Sequence, residues 1–167
     1  MAGKSKVPPG AIEIKAHILI IESRYYEAVA EALLQGALAE LKASGATYEK
    51  ITVPGALELP QALGQAIAAG LVPAEEIGGR FDGVVVLGCV IRGETAHYDI
   101  VCNNANHWLM DKAMGANVPL GNALLTVNTE AQALARARGG REGKGADAVR
   151  ACLSIVQIAR AFEDVDS

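Results

Sequence analysis

The sequence predicts an α/β fold in which helices cover both faces of a parallel sheet. Residues 84–91 (VVVLGCVI) form an apolar run rich in β-branched side chains, which is typical of a strand buried on both faces. Segments of this kind alternate along the chain with segments of helical period. Half of the 167 residues are apolar but only 4% are aromatic, so we expect an aliphatic core of helices packed on a sheet. The length fits one domain.

The first half of the chain predicts two strands, each followed by a helix. Residues 12–21 (IEIKAHILII) begin with alternating polarity and become continuously apolar, which predicts strand 1. The helix after it carries an apolar stripe at Val29, Leu33, Ala37 and Leu41 and ends near Gly45. Residues 48–53 predict strand 2. A second helix is predicted over residues 58–69, with a proline tolerated in its first turn.

The second half continues the same alternation after a loop over residues 70–79. Strand 3 is the apolar run described above, and a helix is predicted from about residue 97 to residue 114. Residues 118–127 predict strand 4, after which Thr129 caps a short helix that ends near residue 137. A basic, glycine-rich loop over residues 138–145 leads into a final helix over residues 146–162.

The ends of the chain and its composition limit the remaining possibilities. We expect residues 1–11 to be a flexible segment, residues 12–163 the folded domain and residues 164–167 a tail. The net charge of −4 argues against nucleic-acid binding. Three cysteines without C-x-x-C spacing indicate a reducing, cytoplasmic setting. No apolar run has the ~20 residues that would predict a membrane span, and the first residues do not resemble a signal peptide.

Polar residues follow three of the predicted strands, in residues 23–26, 54–58 and 92–97. In parallel sheets, ligands bind outside the carboxyl ends of the strands, near the switch in strand order. We therefore expect these three stretches to form one site.

The third stretch, RGETAH, joins strand 3 to a helix, and Thr95 or a neighbour could cap that helix. A glycine turn before a helix start presents backbone N–H groups to an anion, which suggests a phosphate-bearing small molecule. His97 would lie in the first turn, and an imidazole can serve as both acid and base near neutral pH. Position alone leaves two interpretations of His97, catalysis or a structural role at the helix start. His17 and His107 are interpreted as packing or surface residues.

Three other side chains also have two interpretations. Glu58 could simply favour a helix N-terminus, or it could accept hydrogen bonds from ligand hydroxyls. Arg92 could pair within the turn or contact the anion. Tyr25 could stack on a planar ring or cover the sheet edge.

Several common motifs are absent from the sequence. The loop ending in Gly143-Lys144-Gly145 fails the phosphate-loop pattern, since residue 138 is arginine and no hydroxyl follows the lysine. No G-x-G-x-x-G follows a strand, potential metal ligands do not cluster, and no G-x-S-x-G is present. The sequence thus predicts a site without metal or cofactor that uses a histidine and several cations.

Four segments resemble the lumazine synthase family: residues 53–60 (VPGALELP), 87–101 (LGCVIRGETAHYDIV), 125–130 (LTVNTE) and 143–145 (GKG). The resemblance extends over residues 14–161. It implies a flavodoxin-like, three-layer sandwich around a four-stranded parallel sheet. It also implies condensation of 5-amino-6-(D-ribitylamino)uracil with 3,4-dihydroxy-2-butanone 4-phosphate to 6,7-dimethyl-8-ribityllumazine, the penultimate step of riboflavin biosynthesis, without a cofactor. The implied assembly is a homopentamer, and a larger shell remains an alternative.

The resemblance also implies a role for each matching residue. His97 would move protons, and Arg136 would pair with the phosphate, with Lys144 close by. Glu94 and Thr95 would hold the phosphate through backbone N–H and hydroxyl groups. The pyrimidine substrate would contact Tyr25, Ala56, Leu57, Glu58, Cys89, Val90 and Ile91. Asn122, Arg136 and Lys144 would come from the neighbouring subunit.

The sequence departs from the family pattern at three positions. Tyr26 replaces a compact amide, Asn122 stands where many members have a second aromatic, and Glu94 places a carboxylate beside the phosphate. Since none of these changes affects His97, Arg136 or Glu58, the resemblance implies an active enzyme. A flavin or lumazine carrier without turnover and a shell-forming protein are the competing interpretations.

Overall fold

The computed structural model describes residues 10–74 and 79–165. Within them the chain forms a four-stranded sheet of order β2-β1-β3-β4, in which every neighbouring pair of strands is parallel. The strands are β1 (His17–Ser23), β2 (Thr47–Val53), β3 (Gly83–Ile91) and β4 (Leu120–Val127). The helices are α1 (Glu27–Ser44), α2 (Glu58–Ala68), α3 (His97–Ala116), α4 (Glu130–Ala137) and α5 (Lys144–Val165).

Two apolar clusters, one on each face of the sheet, make up the core. Successive residues of a strand point to opposite faces, so Ile18 and Ile20 of β1 enter one cluster while Leu19 and Ile21 enter the other. The first cluster packs β1 against α1, α4 and α5, and the second packs it against α2 and α3. The predicted α/β fold with three layers is therefore confirmed, as is the aliphatic character of its core.

Two glycines allow helices to lie close to the sheet. A side chain at Gly121 of β4 would overlap the backbone carbonyl of Ala148, so α5 contacts the strand directly. A Cβ at Gly88 of β3 would lie 3.1 Å from methyl carbons of Leu59 in α2 and Leu124 in β4. The contact at Gly88 concerns α2, whose first residue lines the site described below.

The predicted elements all form, with differences at their ends. Strand 1 begins at His17 instead of residue 12, because its partners begin at Thr47 and Gly83 and residues 10–16 have no neighbouring strand. Ile12 and Ile14 pack on the first apolar cluster instead. The last helix extends to Val165, into the expected tail. Most of the expected flexible segment, part of the 70–79 loop and the last two residues lie outside the described residues. Across the described residues, no helix is long and apolar enough to cross a membrane.

Candidate active site

A pocket of about 310 Å³ lies at the carboxyl ends of β1, β2 and β3, where the sequence places its polar stretches. We call it the strand-end pocket. The loops after these three strands and the first turns of α3 form its walls. The lining residues are Tyr25, Tyr26, Gly55, Ala56, Leu57, Glu58, Cys89, Val90, Ile91, Gly93, Thr95, His97, Tyr98 and Val101.

Nine of the predicted site residues meet in this pocket: Tyr25, Ala56, Leu57, Glu58, Cys89, Val90, Ile91, Thr95 and His97. Glu94 is exposed between two lining residues but does not itself line the pocket. Asn122, Arg136 and Lys144 lie elsewhere in the chain, outside the lining. The strand-end pocket of one chain therefore gathers the predicted pyrimidine contacts and His97, whereas Arg136 and Lys144 lie outside it.

The start of α2 forms one wall of the pocket. The Pro54-Gly55 turn is closed by hydrogen bonds from the backbone N–H of Glu58 to the carbonyl of Gly55 and from that of Leu59 to the carbonyl of Ala56, both at 3.2 Å. Gly55 lets the Glu58 carboxylate fold over the turn, since a Cβ there would lie 3.3 Å from Glu58 Oε1. The carboxylate is thus presented to the pocket, where it can accept hydrogen bonds from hydroxyl groups.

The start of α3 forms another wall of the pocket. The cap position is Ala96, which makes no side-chain capping bond, whereas Thr95 accepts a hydrogen bond from the backbone N–H of His97 to Oγ1 at 3.3 Å. A helix start without a side-chain cap leaves first-turn N–H groups to bind an anion, and its dipole favours negative charge. His97 is exposed and lines the pocket beside these groups. The arrangement can hold a phosphate next to an acid/base group.

Arg92 fixes the turn between β3 and α3. Its backbone N–H donates to the carbonyl of Val127 at 2.9 Å, and its Nε donates to Asn128 Oδ1 at 3.0 Å. The guanidinium lies 4.4 Å from the centre of the Tyr98 ring and 3.8 Å from the Asp99 carboxylate. Arg92 thus connects the ends of β3 and β4 to the first turn of α3, which favours the structural interpretation of this residue.

Two tyrosines follow β1 and differ in their burial. The Tyr25 side chain is 75% exposed and its ring meets the edge of the Tyr26 ring at 5.0 Å between centroids. Tyr26 is half-buried against the first apolar cluster, and this burial raises the pKa of its phenol. Tyr25 is consequently the ring available to a planar ligand, while Tyr26 supports it from the core side.

Cys89 contributes a thiol to the pocket wall, but it remains protonated near neutral pH. Burial raises the pKa of Cys89 to about 11, with a smaller contribution from Cys102. Since the thiolate is the nucleophilic form of cysteine, Cys89 lines the pocket without serving as a nucleophile.

The remaining predicted residues make their contacts away from the strand-end pocket. Asn122 of β4 donates from Nδ2 to Asn106 Oδ1 at 3.0 Å and accepts from the backbone N–H of Leu124 at 2.8 Å. The Arg136 guanidinium donates to the carbonyl of Gln132 at 3.2 Å, and Lys144 Nζ lies 3.7 Å from Asp147. Arg136 and Lys144 are exposed, so both can contact another molecule.

Five lining residues had no individual binding role predicted from the sequence: Tyr26, Gly55 and Gly93 lie within the three predicted stretches, whereas Tyr98 and Val101 lie beyond them. Val101 could have been predicted to line the site, because it follows His97 by four residues and therefore lies on the same face of the helix. Within residues 10–74 and 79–165, no three histidine, cysteine or acidic side chains are arranged to hold a metal ion.

A second concavity, the α2–α3 groove, lies between those two helices and measures about 670 Å³. Its lining is mainly apolar and includes Leu57, Pro60, Ile100 and Trp108. Leu57 lines both concavities, so the groove adjoins the strand-end pocket.

Comparison with known proteins identifies the family. Residues 15–160 match the family model for 6,7-dimethyl-8-ribityllumazine synthase. The chain is 50% identical over 145 residues to a protein of that name from Nitrobacter hamburgensis, covering 87% of this chain and 86% of the relative. It is 53% identical over 145 residues to the one from Azorhizobium caulinodans, covering 87% of each chain. It is 49% identical over 144 residues to the one from Agrobacterium fabrum, covering 86% of this chain and 95% of the relative. The chain belongs to the 6,7-dimethyl-8-ribityllumazine synthase family.

Proposed function

We propose that the protein condenses 5-amino-6-(D-ribitylamino)uracil with 3,4-dihydroxy-2-butanone 4-phosphate. The products are 6,7-dimethyl-8-ribityllumazine, phosphate and water, and the reaction is the penultimate step of riboflavin biosynthesis. The observation that carries the proposal is the strand-end pocket, where an exposed aromatic ring, a carboxylate, a helix start and a histidine face one cavity. Each of these groups has a counterpart in the chemistry of the two substrates.

The pyrimidine substrate would lie between the loops after β1 and β2. Tyr25 provides a flat, exposed ring on which the uracil can stack. Glu58 provides carboxylate oxygens for the ribityl hydroxyls, and Ala56 and Leu57 lie beside it in the wall. Cys89, Val90 and Ile91 at the end of β3 would contact the same substrate largely through their backbone groups.

The phosphate of the second substrate would bind at the start of α3. Thr95 would offer its hydroxyl, and Glu94 and Thr95 would donate from their backbone N–H groups, as in other anion sites at helix starts. The Glu94 side chain is exposed, so its carboxylate can point away from the phosphate. This geometry would place the carbon atoms of the butanone next to His97.

His97 would then transfer protons during the reaction. The uracil amine forms an imine with the ketone and releases one water. Loss of a proton from the neighbouring carbon expels phosphate and leaves an enol, which takes up a proton to become a ketone. The second amine attacks this ketone and closes the ring with loss of a second water. Each stage moves a proton to or from carbon, nitrogen or oxygen, which a positioned imidazole can do. Binding both substrates in one pocket would also supply a large proximity effect.

We further propose that the working site lies between subunits of a homopentamer, with a larger shell as an alternative. Arg136, Lys144 and Asn122 lie outside the strand-end pocket of their own chain, and the first two are exposed cations suited to a phosphate. A neighbouring subunit that brought Arg136 to Thr95 would complete the anion site. Three free cysteines support the expectation of a reducing, cytoplasmic setting.

The test is to mix both substrates with the protein and follow the absorbance and fluorescence of the lumazine product. We expect turnover, and we expect His97→Ala to lower it roughly 10²- to 10⁴-fold if His97 is the main acid/base group. His107→Ala is the matched control, because His107 is exposed on the same helix outside the strand-end pocket. Loss of activity in the control alone would contradict the assignment.

Two other results would favour the competing interpretations. Tight binding of lumazine or flavin with no product at high protein concentration would indicate a carrier. A drop of only a few-fold in His97→Ala would mean that the substrates react mainly by proximity. Sedimentation would separate a pentamer from a shell, and a monomer with full activity would refute the shared site.

A further inference from the structure

Glu22, the sixth residue of β1, is fully buried although it carries a carboxylate. It faces α1 because it follows Ile20 by two residues and Ile20 packs in the cluster on that side. On the next strand, Lys50 Nζ donates to Glu22 Oε1 at 2.7 Å and Thr52 Oγ1 donates to the same oxygen at 3.1 Å. Since β1 and β2 are in register here, these contacts hold the carboxylate rigidly on the sheet.

Arg24 connects this buried carboxylate to α1. Its NH1 group donates to Glu22 Oε2 at 3.1 Å, its Nε donates to Glu27 at 3.0 Å and its NH2 donates to Glu31 at 2.7 Å. The hydrogen bond with Glu31 is the largest of the contacts that raise the pKa of Arg24, and Arg24 in turn lowers the pKa of Glu31. One planar guanidinium thus spans the turn between the end of β1 and the first two turns of α1, as its fork of donors allows.

Tyr25 lies inside this bridged turn and has little else to hold it. Its ring is 75% exposed, and its one aromatic contact is with the edge of Tyr26. The helix start at Tyr26 also makes no side-chain capping bond. The backbone before Tyr25 is therefore held by the contacts of Arg24, and the backbone after it by the packing of Tyr26 on the first apolar cluster.

A buried ion pair is weak support for stability, because desolvation offsets much of the attraction. An apolar residue at position 22 could fill the same space on the core side, so burial alone does not explain the carboxylate. Besides its contacts on β2, Glu22 accepts hydrogen bonds from Arg24 at both carboxylate oxygens, and Arg24 lies in the turn that carries the exposed ring of the pocket.

We infer that Glu22 is a positioning residue for the pyrimidine substrate, which acts through Arg24 to hold the Tyr25 ring in its stacking position. This inference rests on the proposed function. Removing the charge of Glu22 weakens the link between Arg24 and β1, so the turn, still attached to α1 through Glu27 and Glu31, can sample other conformations. The substrate then has to order the turn when it binds, so its apparent affinity falls.

The test measures KM for each substrate and kcat in Glu22→Gln, Tyr25→Ala and the double variant. Replacing a stacking aromatic residue by alanine typically weakens binding by about 5- to 150-fold. Tyr25→Ala should therefore raise KM for the ribitylaminouracil roughly 10-fold or more. Glu22→Gln should raise the same KM roughly 3- to 10-fold, with kcat and the KM of the phosphate substrate within about twofold of wild type. The double variant should be no worse than Tyr25→Ala alone, because Glu22 acts through that ring.

Glu40→Gln is the matched control for a purely structural effect. Glu40 is also fully buried and also pairs with two cations, Arg141 at 2.6 Å and Arg150 at 3.1 Å, but it lies at the far end of α1. We expect this variant to lose stability, as Glu22→Gln does, while its KM for the pyrimidine stays at the wild-type value. Circular dichroism shows which variants are folded at the assay temperature.

Two outcomes separate the inference from the proposal beneath it. If Tyr25→Ala leaves KM for the pyrimidine unchanged, the proposed stacking role of Tyr25 is wrong. If Tyr25→Ala raises KM but Glu22→Gln does not, or if the two effects multiply in the double variant, the positioning role of Glu22 is overturned while the proposed function stands.

Discussion

Two glycines in neighbouring strands should respond very differently to the same added methyl group. A Cβ at Gly88 would lie 3.1 Å from Cδ1 of Leu59 and of Leu124, which are the flexible ends of two side chains. A Cβ at Gly121 would overlap the backbone carbonyl of Ala148, in the first half of α5. Since each substitution adds one methyl group, the difference in stability between the two variants depends on which atoms lie opposite the glycine.

The structure gives an approximate size for each effect. Replacing glycine by alanine in an extended conformation stabilises a protein by about 0.4–1 kcal/mol, because the unfolded chain then has fewer conformations to lose on folding. Overpacking typically costs about 1–3 kcal/mol, and we expect the lower end for Gly88→Ala because the leucine methyl groups can move. The net loss in free energy of unfolding is then about 0–2 kcal/mol. Gly121→Ala requires α5 to move off the sheet, and α5 carries Val149, Cys152 and Leu153, all with 0% exposure. We expect a loss above about 4 kcal/mol, which is large for a single substitution.

Urea denaturation followed by far-UV circular dichroism measures both losses on the same scale. Gly88→Ala should shift the midpoint slightly, and Gly121→Ala should shift it far or prevent folding. Equal losses in the two variants, or a loss below about 1 kcal/mol in Gly121→Ala, would refute the close approach of β4 and α5.

Three further predictions concern charge and chemistry at other positions. Cys89→Ser should keep turnover within about threefold, because burial keeps the thiol protonated; a loss of more than tenfold in the lumazine assay would mean that the thiol reacts. Arg136→Ala should raise KM for the phosphate substrate roughly 10- to 100-fold, the range for losing a charge-assisted hydrogen bond, and leave KM for the pyrimidine unchanged. The hydrogen bond with the His17 ring lowers the pKa of the Glu49 carboxyl below its ordinary value of 4.5, and Arg80 lowers it further. These contacts of Glu49 stabilise the folded state above pH 4.5, and the stabilisation is lost as the pH falls through the lower pKa that Glu49 has in the folded state. The free energy of unfolding should therefore fall more steeply between about pH 5 and pH 3 in wild type than in Glu49→Gln.

The sequence predicted the order of strands and helices because each apolar pattern is local. Val29, Leu33, Ala37 and Leu41 repeat at helical spacing, and all of them are buried in α1. The strand boundary at His17 could not be predicted from residues 12–21 alone, since it depends on where the partner strands begin. Local periodicity thus gave the elements, and pairing between distant segments set their ends.

The strand-end pocket was predictable for a related reason, because strands of one direction bring their following loops to one edge. The positions of His97 and Glu58 at helix starts made them candidates, the family resemblance gave them roles, and both line the pocket. The buried carboxylates Glu22 and Glu40 were not recognised, since their partners Lys50 and Arg141 are distant in sequence. A charged residue within a strand or helix pattern gives no sign of the ion that neutralises it.

The α2–α3 groove has a practical consequence for spectroscopy. Trp108 is the only tryptophan in the chain, and it lies in the wall of that groove with 46% of its surface exposed. The core is aliphatic, so tryptophan emission reports on the polarity of the groove and not on the packing between helices and sheet. A blue shift of this emission with increasing protein concentration would indicate that another subunit covers the groove, whereas unfolding of the core is better followed by circular dichroism.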